Sequence, residues 1–288
     1  MYQFKRSIDL KKHLDLVRKS GKTIGFVPTM GALHQGHLSL IQAAKKETDV
    51  TVCSIFVNPT QFNDPKDFEK YPITIEADIK KLNDVSTDIV FLPSVEEMYP
   101  NGLSENIHYD FGDLETILEG KFRPGHFQGV GQIVHKLLDI VQPNKLFMGQ
   151  KDLQQCLIVS KLLKIIGSSA ELVVCPTERE SDGLAMSSRN ARLSPAARKK
   201  AVAIYEALLH IRNNFGKGLL FMESAHEAFD GLKAQGFEPE YVDILTLNNG
   251  DLHPLDHPAD ENTTVVAAVA AWLDGVRLID NMIIQGRI

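Results

Sequence analysis

Long apolar runs are absent from this chain. Nothing in its 288 residues approaches the length of a bilayer-spanning helix, and Met1 to Leu10 has no signal-peptide core. The expectation is a cytoplasmic protein. Cysteine is scarce as well. Cys53, Cys156 and Cys175 lie scattered in apolar runs, an odd and unpatterned count that excludes a disulfide framework. They read as reduced, buried thiols without a catalytic role. Excess positive charge is also missing. Lys and Arg number 31 against 37 Asp and Glu, and the net charge of −6 argues against a broad nucleic-acid surface while leaving room for a local basic pocket. There is no internal repeat and no low-complexity tract.

What remains has the balance of an ordinary globular protein, 43% hydrophobic and 24% charged, long enough for one large domain or two smaller ones. One stretch organises it: Pro28-Thr-Met-Gly-Ala-Leu-His-Gln-Gly-His37. It follows an apolar run, Thr23 to Val27, that reads as a buried strand, and precedes Leu38 to Lys46, which reads as a helix. The free N–H groups of a first helical turn and the helix dipole both favour an anion there. Gly31 and Gly36 allow close approach of a ligand to the backbone. His34 and His37 stand one turn apart and can face one bound group, each offering an N–H to a phosphate oxygen. A metal pair is the competing reading, but no third ligand follows at a usual spacing. The Gly-x-Gly-x-x-Gly dinucleotide fingerprint is absent from this stretch.

Taken in order, the chain alternates helices and strands. A helix near Ser7 to Ser20 precedes the first strand. Val50 to Val57 is apolar on both faces, as a central parallel strand is, and empties into Asn58-Pro-Thr-Gln61. A helix from about Ile75 to Val85 and a strand at Ile89 to Leu92 follow. Next come a helix from about Phe127 to Val141, a strand at Lys145 to Met148, a helix from about Leu153 to Ile166 and a strand at Leu172 to Cys175. This alternation predicts a doubly wound α/β sheet, whose ligands bind beyond the carboxyl ends of the strands. Pro176 to Arg192 is a long polar connection, the length of a functional loop or a linker. Beyond Ser194-Pro195 two helices, about 195–214 and 222–234, precede strand-like runs at Tyr241 to Leu247, Thr263 to Ala271 and Arg277 to Ile284. Helices first and strands later indicate a small α+β domain.

Several polar groups gather at the predicted strand ends. Lys151 leaves a parallel strand beside Gly149, a place that suits a phosphate. Asp152 can hold Mg²⁺ or cap the next helix, the commoner role for Asp there. Ser187 and Ser188 can donate to phosphate oxygens and Arg189 can fork onto them. Gln61 and Gln155 can bind a hydroxylated anion.

Five stretches carry a resemblance: the Pro28–His37 segment, Phe56-Val-Asn-Pro-Thr-Gln-Phe62, Arg123-Pro-Gly-His-Phe127, Phe147-Met-Gly-Gln-Lys-Asp152 and Met186-Ser-Ser-Arg-Asn190. In identity, order and spacing they resemble the pantoate–β-alanine ligases, also called pantothenate synthetases, nearly from end to end. His-x-Gly-His alone would indicate only the wider nucleotidyltransferase superfamily.

The resemblance implies a Rossmann-like parallel-sheet domain, residues 1–176, binding ATP and pantoate, and a smaller C-terminal α+β lid domain, residues 177–288. It implies ATP, pantoate and β-alanine as partners, Mg²⁺ with ATP, and a homodimer. Met30, Gly31, Ala32, Leu33, His34, Gln35, Gly36 and His37 would hold ATP together with Gly149, Gln150, Lys151, Asp152, Glu178, Met186, Ser187, Ser188 and Arg189. Of these, His34, His37, Lys151, Ser187, Ser188 and Arg189 would gather around the triphosphate as the catalytic set. Gln61, Gln155, Asn58, Arg123 and Tyr71 would form the pantoate and β-alanine pocket, and Asp78 would contribute to Mg²⁺ binding. Two positions depart from the family pattern: Ile73 stands where an arginine is common, and Glu178 where an apolar residue is.

Overall fold

Apolar strands buried on both faces need helices to cover them, and the first part of the chain meets that need with one parallel sheet. A computed structural model of the protein describes all residues except 63–67, 104–106, 216–220, 256, 258 and 288. Strands β1 (Tyr2–Phe4), β2 (Ile24–Thr29), β3 (Val50–Ile55), β4 (Ile89–Phe91), β5 (Lys145–Gly149) and β6 (Glu171–Cys175) lie in the order β1-β4-β3-β2-β5-β6. Every pairing is parallel. The connecting helices are α1 (Ser7–Lys19), α2 (Gln35–Glu47), α3 (Ile75–Asp84), α4 (His126–Val141) and α5 (Leu153–Ile165). α2 and α3 bury Leu40, Ile41, Ala44 and Leu82 against Val27, Cys53, Val90 and Phe147 of the sheet. Fully burying a Val, Leu, Ile or Phe side chain there contributes about 1.5–3 kcal/mol of transfer free energy. α1 packs on α4.

This strand order contains a reversal. From β2 the chain steps outward to β3 and β4, then returns to the other side of β2 for β5 and β6. Gly25 and Phe26 of β2 pair with Lys145 and Leu146 of β5, so the carboxyl ends of these two strands are neighbours. A crevice beyond such a switch point is where doubly wound sheets bind ligands.

The second sheet is antiparallel, with β7 (Glu238–Asn248), β8 (Asp251–Pro254), β9 (Thr264–Leu273) and β10 (Val276–Gln285) in the order β10-β9-β7-β8. Two helices, α6 (Ala203–Asn214) and α7 (Phe221–Ala234), share its core, where Leu208, Ile211 and Leu232 meet Val265, Val269 and Leu278. The chain divides into two compact units, Met1–Gly149 with Gln154–Pro176, and Gln150–Leu153 with Thr177–Ile288.

Four local expectations need correction. An edge strand, β1, precedes the first helix. At three residues it is too short for a periodicity to show, and parallel pairing with β4 defines it. α2 starts at Gln35, three residues before Leu38, because His34 caps it. The helix expected over 195–214 is two helices, Pro195–Lys200 and α6. β8 lacks an apolar pattern, and its cue is the two-residue turn Asn249-Gly250, both at positive φ, which matches the twist of a hairpin.

Candidate active site

The loop at the end of β2 is shaped by what lies beneath it. Gly31 has φ +82°, and a Cβ there would stand 2.9 Å from Ile55 Cγ2 and 3.2 Å from Asp78 Oδ2, so only glycine fits. Asp78, on α3, is fully buried. Its Oδ2 accepts the Ala32 N–H and its Oδ1 the Leu33 N–H, each at 2.8 Å, and Thr74 Oγ1 donates to it at 3.1 Å. Lys81 Nζ donates to the Leu33 carbonyl at 2.5 Å. Together these side chains clamp the loop from below.

The two histidines cap α2 reciprocally. His34 Nδ1 accepts the Gly36 N–H at 3.2 Å, and His37 Nδ1 accepts the His34 N–H at 3.3 Å. The rings lie 4.1 Å apart, tilted by 46°. A nitrogen that accepts an N–H carries no hydrogen, so the ring hydrogen of each neutral imidazole sits on Nε2. This revises how the loop would meet an anion. The N–H groups of Ala32 and Leu33 are taken by Asp78, and those of His34 and Gly36 by the imidazoles. At the start of α2 these four backbone N–H groups are therefore engaged within the protein, and the helix dipole remains to favour an anion.

Asp78 also does not fit as a metal ligand. Both carboxylate oxygens are committed to backbone donors in the interior, and among the described residues no three His, Cys, Asp or Glu side chains cluster as a cation cage. Its position supports the loop.

The turn after β3 meets the same loop. Gln61, 9% exposed, directs Nε2 at Met30 Sδ, 2.9 Å away. Its orientation comes from a knot of buried groups. Asn58 Nδ2 donates to Thr60 Oγ1, the Gly129 carbonyl and Gln61 Oε1 at 3.0, 3.2 and 3.4 Å, while Asn58 Oδ1 accepts Tyr99 Oη–H at 2.7 Å. Asn58 is 1% exposed and saturated within the protein, so it holds Gln61 in place instead of facing a ligand. His126 Nδ1 lies 2.7 Å from the Gln61 carbonyl, and its Nε2 lies 3.1 Å from an Arg123 guanidinium nitrogen. A guanidinium only donates and a carbonyl only accepts, which puts the imidazole hydrogen on Nδ1. Gly129 makes room for the turn: a Cβ there would lie 2.4 Å from the Thr60 carbonyl oxygen. Arg123 also pairs with Glu119 at 3.6 Å. Tyr71 is buried edge-on against Phe62. Gln155, on α5, is half-buried. Its neighbour Gln154 is spent on the Leu114 and Ile117 carbonyls and the Glu119 N–H.

The second unit carries the remaining residues. Gln150–Asp152 form one turn in which Lys151 Nζ pairs with Asp152 Oδ1 at 3.2 Å. In the 178–192 loop the Met186 N–H donates to the Glu178 carbonyl at 2.9 Å, while the Glu178 side chain is exposed. Ser187 caps the turn Ser188–Arg192 by accepting the Arg189 N–H at 3.3 Å, and Asn190 Nδ2 holds the Ala185 carbonyl at 3.0 Å. Ser187, Ser188 and Arg189 are half-buried. Ile73, the other departure, is 72% exposed.

The sequence alone assigns no role to Tyr99, His126 or Gly129. His126 lies inside the Arg123-Pro-Gly-His-Phe127 motif, which is its signal. Tyr99 and Gly129 carry no local signal, since each matters only through Asn58 and the turn around it. None of the three cysteines forms a disulfide and all are buried. Burial pushes the Cys53 thiol up to about 12.

The site thus sits on a Rossmann-like α/β domain, with a histidine-capped helix start at the switch point of its sheet. The chain belongs to the pantoate-beta-alanine ligase family, whose model matches residues 3–283. Pantothenate synthetases from Cytophaga hutchinsonii and Thermotoga neapolitana are each 44% identical over 277 and 283 residues, covering 96% of this chain and 96% and 97% of theirs. A pantothenate synthetase crystal structure from Thermus thermophilus matches with a TM-score of 0.90 at 38% identity, over 99% of this chain and 100% of that one. The Francisella tularensis pantoate-beta-alanine ligase, crystallised with beta-gamma ATP and beta-alanine, matches with a TM-score of 0.83 at 36% identity, over 99% and 98%. The protein is a ligase.

Proposed function

We propose that this ligase uses ATP to convert pantoate to pantoyl adenylate, releasing pyrophosphate, and then passes the acyl group to β-alanine, giving pantothenate and AMP. The observation that carries the reading is the reciprocal His34–His37 cap at the switch point, which fixes both imidazoles on a clamped loop with their ring hydrogens on Nε2.

The chemistry matches that arrangement. A carboxylate of pKa ~4 is ionised at pH 7, so pantoate needs no general base to attack phosphorus. Negative charge grows on the departing pyrophosphate, and preorganised donors are the effective catalysts. His34 and His37 supply two of them. Lys151, Ser187, Ser188 and Arg189, all on the second unit, supply the others. Met30 to His37 with Gly149 to Asp152, Glu178 and Met186 hold ATP. Gln61 and Gln155 bind pantoate, with Gln61 turned toward β-alanine and Asn58, Arg123 and Tyr71 supporting that pocket. An amine of pKa about 10 must lose a proton before it attacks, and among the described residues none stands out as its base.

Residues 1–176 act as the ATP- and pantoate-binding domain, and 177–288 as a lid that shields the adenylate from water. Mg²⁺ would travel on the ATP phosphates, as this ion commonly does, and not on Asp78. The enzyme works in the cytoplasm as a homodimer, which sedimentation analysis tests. The reaction itself is tested by exchange of labelled pyrophosphate into ATP with pantoate present and β-alanine left out. Pantoate-dependent exchange, followed by AMP and pantothenate once β-alanine is added, is the expected result. No exchange from folded, ATP-binding protein would overturn the reading.

A further inference from the structure

We infer that Asn281 is the positioning residue for Lys151 and that the Arg179–Asp280 pair holds it in that role. Gln150–Asp152 follow β5 directly, yet they belong to the second compact unit. The cause is on β10. Asn281, 5% exposed, donates through Nδ2 to the Gln150 carbonyl at 2.9 Å and to the Lys151 carbonyl at 2.8 Å, and its Oδ1 accepts Gln150 Nε2 at 3.2 Å. One carboxamide thereby fixes two consecutive carbonyls of the turn that bears the lysine. No other side chain of that size both donates twice and accepts.

Asn281 is itself held. Its N–H donates to Asp280 Oδ1 at 2.8 Å. The Asp280 carboxylate, 3% exposed, is gripped by Arg179 through two nitrogens at 2.5 and 3.0 Å. Arg179 also donates to the Gly183 and Asn281 carbonyls and lies over the Tyr205 ring at 4.3 Å. Arg179 sits at the start of the loop that carries Ser187 to Arg189. The lysine turn and that loop therefore share a single buried anchor.

This inference rests on Lys151 serving the ATP phosphates, so its test keeps the two apart. Pantoate-dependent pyrophosphate exchange is measured in the natural protein, Lys151→Ala, Asn281→Asp and the double variant. Exchange by the natural protein checks the function independently of Asn281. Asp is the size of Asn but sets carboxylate oxygens against the two carbonyls. Asn281→Asp should lose about tenfold or more in kcat/KM for ATP, as expected for lost, partly buried hydrogen bonds. Because it acts through the lysine, adding it to Lys151→Ala should cost nothing more. Wild-type exchange by Asn281→Asp, or losses that multiply in the double variant, would overturn the assignment. Thermal melting accompanies each variant. Asn281→Ala, which removes the donors without adding charge, enters the same cycle if Asn281→Asp does not fold.

Discussion

The Asp78 carboxylate and the Leu33 backbone N–H, 45 residues apart in sequence, meet at 2.8 Å in the interior, with the Ala32 N–H on the other carboxylate oxygen. A carboxylate does this because it has two acceptor oxygens and no hydrogen of its own. Asp78→Asn keeps one acceptor and turns an NH₂ toward the second N–H or toward Thr74. The expected cost is roughly 1–3 kcal/mol of stability, the penalty for a buried donor left without a partner. Chemical denaturation measures it, and the KM for ATP should rise with it. The Mg²⁺ concentration needed for half-maximal exchange should stay put. A variant of unchanged stability that instead shifts this Mg²⁺ requirement would show that Asp78 is a ligand after all.

His34→Asn separates capping from chemistry. Asn is among the best N-caps, so the stability of α2 should stay within about 0.5 kcal/mol. The Nε2–H donor disappears, and a hydrogen bond to a charged oxygen is worth about 1.5–3 kcal/mol, so exchange should fall roughly ten- to hundredfold. Equal losses of stability and activity would mean that the imidazole serves only the helix.

Tyr99→Phe removes the hydroxyl that donates to Asn58 Oδ1. Stability should drop by about 1 kcal/mol, and Gln61, oriented through Asn58, should lose its alignment. The KM for pantoate should rise while that for ATP holds. A parallel rise in both would place Tyr99 outside the Gln61 network.

Arg189→Lys keeps the charge but not the two-pronged geometry, so adenylate formation should fall, and Arg189→Ala should lower it further. The exposed Arg212 of α6 is the control. If Arg212→Ala and Arg189→Ala reduce exchange alike, Arg189 does not reach the phosphates.

Cys53 makes stability depend on alkaline pH. Burial holds its folded thiol up to about 12, with the Thr29 hydroxyl the largest opposing influence. An unfolded thiol titrates near ~8.5. Where the unfolded chain has lost that proton and the native state has kept it, folding is disfavoured. The contribution is whole below about pH 8.5 and drains away as the pH climbs toward 12. The stability difference between the natural protein and Cys53→Ala should therefore shrink by roughly 2 kcal/mol between pH 7.5 and 10. Urea midpoints at the two pH values provide the check, and a constant difference would contradict it.

Local pattern carried much of this protein. Strand, glycine turn and helix succeed one another within a few residues, so β2, β3, β5 and the loop Met30 to His37 are legible from the apolar runs and glycines at their ends. The five quoted segments lead from there to the family. Contacts across the fold decided the rest. Asp78 reads as an acidic residue on a helix until the folded chain sets it under Ala32 and Leu33. Asn58 reads as a polar turn residue until Tyr99 and Gly129 close around it. Lys151 reads as a residue of the loop leaving β5 until Asn281, 130 residues later, takes its carbonyl. Periodicity and turn chemistry act over one or two turns of chain, whereas a buried hydrogen bond is chosen by which groups lose water together. Only the packed chain determines that pairing.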